Sequence, residues 1–115
     1  MSLLAIDDLH VEVAARGLDN QLRVARALNG VSFTVDAGEI VGLVGETGAG
    51  KSLTAMAAMG LLRAPARIPR GRIRFEGRDL LGDPRALAGI RGRRMTMIVQ
   101  SPLTSLDPLK RIGDQ

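Results

Sequence analysis

The 115 residues allow one domain at most, with about two thirds of the unfolded surface buried. There is no cysteine, which excludes disulfides, thiolate metal sites and a cysteine nucleophile. The net charge of +4 is unevenly spread: residues 1–62 carry four basic and seven acidic side chains, residues 63–94 ten arginines against three acids. With only Phe33 and Phe75 as aromatics, this arginine block has no stacking platform for bases, so nucleic acid is not an expected partner. A compositional preference for arginine is one reading of the block, and contact with an acidic partner is the other.

The amino terminus lacks a basic n-region, and the longest apolar stretch, Leu53 to Leu62, is about half a membrane span. These features lead us to expect a soluble, cytoplasmic protein. Leu3 to Val13 reads as a strand and Ala14 to Gln21 as a turn. Ala27 to Val35 alternates with Val31, Phe33 and Val35 on one face, so the two stretches are expected to pair antiparallel. The lone histidine, His10, reads as a sheet-face residue.

Asp36-Ala37-Gly38-Glu39 turns into the apolar run Ile40–Val44, a third strand, and the chemistry begins directly after it. Gly45-Glu46-Thr47-Gly48-Ala49-Gly50-Lys51-Ser52 matches the phosphate-loop pattern G-x-x-x-x-G-K-[ST] at every position. Glycines let successive backbone N–H groups turn inward around a β-phosphate, the Lys51 ammonium reaches the β/γ-phosphates, and the Ser52 hydroxyl ligates Mg²⁺. Lys51 to Leu62 reads as a helix whose positive dipole end faces those phosphates. Strand, loop and helix together predict a site for a nucleoside triphosphate.

Arg63 to Arg70, with Pro65 and Pro69, is expected to be an irregular connection. Gly71 to Gly77 reads as a strand with Ile73 and Phe75 inward, Pro84 to Arg94 as a helix begun by its proline, and Met95 to Val99 as a buried strand ending at Gln100. Ser101 to Pro108 is a proline-punctuated loop, and Leu109 to Gln115 reads as the start of a helix. No linker or internal repeat divides the chain.

Several segments together resemble the amino-terminal half of the ATP-binding subunits of ABC transporters, within them the oligopeptide, dipeptide and nickel importer branch. They are Leu28-Asn29-Gly30-Val31-Ser32-Phe33, Gly38 to Glu46, Gly77-Arg78-Asp79-Leu80-Leu81, and the end from Ile98 to Gln115, above all Gln100-Ser101-Pro102-Leu103-Thr104-Ser105-Leu106-Asp107-Pro108 followed by Ile112-Gly113-Asp114-Gln115. The resemblance implies an α/β fold, a P-loop NTPase core of the ABC ATPase type with an antiparallel β-subdomain, truncated after the Q-loop. Residues 1–115 would then be a partial nucleotide-binding domain holding the Walker A loop and the Q-loop, without the signature, Walker B and switch regions.

By the same resemblance, Gly45, Glu46, Thr47, Gly48, Ala49, Gly50, Lys51, Ser52 and Thr54 hold ATP. Gln100 is the Q-loop glutamine, which with Ser52 serves Mg²⁺ and with Lys51 the chemistry. Val13 stands beside the adenine, where such ATPases commonly carry an aromatic residue. The implied function is coupling of ATP binding and hydrolysis to uptake of peptides or nickel, at the cytoplasmic face of a bacterial-type membrane. The implied partners are permease subunits, whose coupling helix would meet the Gln100–Pro108 loop and the adjoining arginine-rich face, and a second ATP-binding subunit in a head-to-tail dimer. The 115-residue chain alone is expected to bind ATP without turning it over. A soluble ABC-type ATPase acting on nucleic acid or ribosomes, and a small P-loop kinase, are the alternatives.

Overall fold

Four strands and two short helices form the ordered frame of the computed structural model, which describes residues 2–100 and 106–115. β1 (Leu4–Arg16) and β2 (Leu22–Val35) form an antiparallel hairpin. Its turn is closed by Gly17 N donating to Gln21 O (3.0 Å) and by Asn20 in the left-handed region, where asparagine is tolerated. β3 (Ala66–Phe75) pairs antiparallel with the other edge of β1, and the two-residue β4 (Arg78–Asp79) pairs with the end of β3. The sheet order is therefore β2-β1-β3-β4.

A bulge in β1 explains how the apolar face stays continuous. Ile6, Leu9 and Val11 are all buried, although three positions separate the first two. One extra residue at Asp7–Asp8 shifts the register against both neighbouring strands and returns Leu9 to the core side. Asp8 takes a positive φ of 47° there. On the β3 side the backbones come so close that a Cβ on Gly71 would lie 2.6 Å from Leu9 Cα, and only glycine fits.

One face of the sheet carries α1 (Lys51–Ala58) and α2 (Pro84–Ile90). Ile6, Leu9, Val11, Leu28, Ile73 and Phe75 pack with Ala57, Ala58, Leu80, Leu87 and Ile90 in one cluster. α1 stops short of Leu62 because Gly60, at φ 67°, ends it: Gly60 N donates to Ala57 O (3.1 Å) and Leu61 N to Met56 O (2.9 Å), the paired bonds of a Schellman close. α2 begins at Pro84, as its sequence predicts, with the Asp83 carboxylate accepting from Arg85 N (3.0 Å) and Ala86 N (3.3 Å). It ends at Ile90, four residues before the predicted limit, where the chain turns through Gly92 at φ 74°.

Three further expectations are corrected. The proline-bearing stretch read as a connection is already strand from Ala66, because Pro69 sits where the β1–β3 register slips and on a stretch of β3 with no strand on its other side, so its missing N–H breaks no ladder. Ile40–Val44 and Met95–Val99 are not strands. Such continuous apolar runs suit the middle of a parallel sheet, which needs a neighbour on each side, and among the described residues neither run has a ladder partner beyond a single Arg91–Met95 bridge. Ile40 is 99%, Val44 91% and Ile98 94% exposed, while the less exposed Val41, Leu43, Met95 and Met97 line, with α1, an apolar cavity of about 340 Å³. Of the expected final helix only a 3₁₀ turn, Ile112–Asp114, is present. Positions 101–105 of the Gln100–Pro108 loop lie outside the described residues.

Candidate functional site

The loop 45–52 is shaped by its glycines and held from two sides. Gly48 and Gly50 adopt φ of 86° and 97°, which point the intervening backbone inward and aim the start of α1 at the space above the loop. On the helix side, Thr54 is buried and its Oγ1 donates to Gly50 O (2.8 Å), alongside the Thr54 N bond to the same oxygen (2.9 Å). On the sheet side, Gly50 lies directly against Leu28: a Cβ there would overlap Leu28 Cδ2 and sit 3.4 Å from Ala27 O. The loop is thus seated on β2, a contact that the spacing of the motif does not reveal.

Lys51 turns its ammonium into the loop, where Nζ donates to Gly45 O and to Glu46 O (3.1 Å). Both acceptors are exposed carbonyls, so phosphate oxygens can replace them without leaving a buried group unpaired. Above the loop is a cavity of about 290 Å³ lined by residues 47–53, Met56 and Gln100. Gln100, about fifty positions further along the chain, thus meets Lys51 and Ser52 on one surface. The lining contains no carboxylate and no histidine. It combines backbone N–H groups at a helix start, one ammonium, the hydroxyls of Thr47 and Ser52 and one carboxamide, a set that suits an anion and can offer neutral oxygens to a hard cation.

Not every residue singled out in the sequence joins this group. Val13 is placed on β1 opposite Ala25 and Ala66 and does not line the loop cavity. Glu46 contributes its carbonyl to Lys51, while its side chain is not part of the lining. His10 lies on the sheet face as expected, yet it is not isolated. Its Nε2 donates to Asp8 Oδ1 (3.0 Å), and Arg70 Nε reaches Asp8 Oδ2 (2.6 Å), joining β1 to β3 at the bulge. The hydrogen bond from His10, seconded by the Arg70 charge, holds the Asp8 carboxyl below its ordinary value of 3.8.

No described helix is long and apolar enough to cross a membrane, and no group of three or more His, Cys, Asp or Glu among the described residues could hold a metal ion by itself.

Comparison with known proteins gives the site its context. The family model described as ABC transporter matches residues 28–115. The oligopeptide transport ATP-binding protein OppD of Salmonella typhimurium is 45% identical over 114 residues, covering 98% of this chain and 32% of that protein. OppD of Bacillus subtilis is 39% identical over 115 residues, with coverage of 98% and 31%. The dipeptide transport ATP-binding protein DppD of Lactococcus lactis subsp. cremoris is 40% identical over 114 residues, with coverage of 98% and 31%. The chain thus spans about a third of the length of these relatives. With its antiparallel sheet, glycine loop and helix, the chain belongs to the ABC transporter family.

Proposed function

We propose that this chain forms the nucleotide-gripping part of an ATP-binding subunit that drives peptide uptake through a membrane permease. The observation that carries the proposal is the convergence of Gln100 with residues 47–53 on one cavity. A phosphate loop by itself fits many folds; a carboxamide brought to it from a distant segment fits an ATPase that couples its nucleotide to a mobile loop. In this reading Gly45, Glu46, Thr47, Gly48, Ala49 and Gly50 wrap the β-phosphate with their backbone, Lys51 neutralises the β/γ oxygens, and Thr54 pins the loop to α1. The Ser52 hydroxyl and the Gln100 amide oxygen would hold Mg²⁺ as neutral oxygen ligands, the phosphates supplying the negative charge that this lining lacks. When bound, Mg²⁺ polarises the phosphoryl oxygens and offsets the charge that develops on them.

The relatives named above are transport proteins for oligopeptides and dipeptides, which favours peptides over nickel as cargo and supports the ABC-type P-loop core, residues 1–115, as part of a larger nucleotide-binding domain. They give no support to a small kinase or to an ATPase acting on nucleic acid. The expected partners are permease subunits, met by the loop that begins at Gln100, and a second ATP-binding subunit, with the protein peripheral at the cytoplasmic face of the membrane.

Titration with Mg²⁺ and ATP tests the proposal. Removing one charge-assisted phosphate contact costs about 1.5–3 kcal/mol, so Lys51→Ala should bind ATP at least about tenfold more weakly. Identical binding curves for the two proteins would overturn the assignment.

A further inference from the structure

The arginine excess of residues 63–94 is not spread evenly over a solvated face. Arg78 of β4, Arg85 of α2 and Arg94 of the turn after α2 border a single cavity of about 430 Å³ whose floor includes the buried Phe75 and Ile90. Its one carboxylate, Glu76, pairs with Arg94, whose guanidinium also lies 5.9 Å from the Phe75 ring centroid. The other two acids of the segment are occupied with backbone: Asp79 Oδ1 accepts from Leu81 N (3.0 Å), and Asp83 caps α2. Among the described residues neither Arg78 nor Arg85 forms an ion pair. Three guanidiniums against one carboxylate leave the rim with a formal charge of +2.

We propose that this cavity is a second anion site, separate from the phosphate loop, that takes a phosphate group carried by a monoester. Arginine presents planar paired donors that match phosphate oxygens two at a time, and a dianionic monoester carries about the charge the rim lacks. Phe75 and Ile90 give the ester side an apolar surface, so the cavity distinguishes a monoester from a small halide. No lining residue is shared with the loop cavity, so the two sites can be silenced separately.

The test follows the arginine Nε–H resonances of the 115-residue protein during titration with inorganic phosphate, with chloride at equal ionic strength as control. The expected result is saturable movement of the Arg78, Arg85 and Arg94 signals that persists in Lys51→Ala. An Arg78→Gln/Arg85→Gln variant, altered only at exposed positions, should weaken phosphate binding at least about tenfold. Glu76→Gln should strengthen it several-fold by releasing Arg94, a gain that a merely structural pair would not produce. Phosphatidylcholine vesicles with and without phosphatidic acid identify the source. Retention on the phosphatidic acid vesicles that is lost in the double variant assigns the ligand to a lipid headgroup, and saturable phosphate binding without retention assigns it to a soluble monoester. Equal, unsaturable drift of all arginine signals, or binding unchanged in the double variant, would overturn the proposal.

Discussion

Replacing Gly50 by alanine tests how the glycine loop 45–52 is seated. Two costs are separable in the structure. At φ 97° any L side chain is strained, which costs about 1–2 kcal/mol. The added methyl would also overlap Leu28 Cδ2 and sit 3.4 Å from Ala27 O, so Leu28, 4% exposed within the core, must leave its packed position to make room. Overpacking of this kind costs about 1–3 kcal/mol. Gly48 is the control: its φ is 86°, and a Cβ there meets nothing within 4 Å. Both replacements restrict the unfolded chain alike, so that contribution cancels in the comparison. Gly50→Ala should therefore destabilise by about 1–3 kcal/mol more than Gly48→Ala in ligand-free urea unfolding. Far-UV circular dichroism is the appropriate signal, since the chain has neither Trp nor Tyr. Equal losses, within about 0.5 kcal/mol, would refute the seating of the loop on β2.

The cluster at the β1 bulge makes stability depend on pH in acid. Because the folded Asp8 carboxyl titrates below 3.8, its contribution is present above that value and is lost as the pH falls through the folded pKa. Asp8→Asn, which tolerates the positive φ, should flatten the stability profile below about pH 4, and superimposable profiles would remove Asp8 from the explanation. The 115-residue protein should release no phosphate from ATP beyond the Lys51→Ala background, since no carboxylate or histidine lines the loop cavity to position an attacking water. Turnover that Lys51→Ala abolishes would contradict this.

The elements legible in the sequence were those whose pattern is local. The alternation of Val31, Phe33 and Val35 marks the partly buried face of β2, Pro84 the start of α2, and the glycines of residues 45–52 the positive-φ turn that leads into α1. Ile40–Val44 and Met95–Val99 misled because their composition suits a strand buried on both faces, while strand formation depends on neighbours that pairing, not composition, supplies. Pro69 points the opposite way, since a proline is compatible with a strand wherever the N–H it lacks would have no partner, whereas Pro65 lies in the turn before β3 as expected. Gln100 carries no local signal of its own beyond the family resemblance, because its place beside the loop depends on folding across half the chain, which no local spacing encodes. The seating of Gly50 on Leu28 and the joining of Asp8, His10 and Arg70 are tertiary contacts without any sequence pattern of their own.

The central claim is that Gln100 and the loop act on one Mg²⁺-bearing nucleotide. ATP affinity measured with and without Mg²⁺, in the unaltered protein and in Gln100→Ala, tests it most directly. The account predicts equal affinity for the two proteins without Mg²⁺ and a several-fold smaller gain on adding Mg²⁺ in Gln100→Ala. An identical Mg²⁺-dependent gain in both would separate Gln100 from the nucleotide and contradict the account.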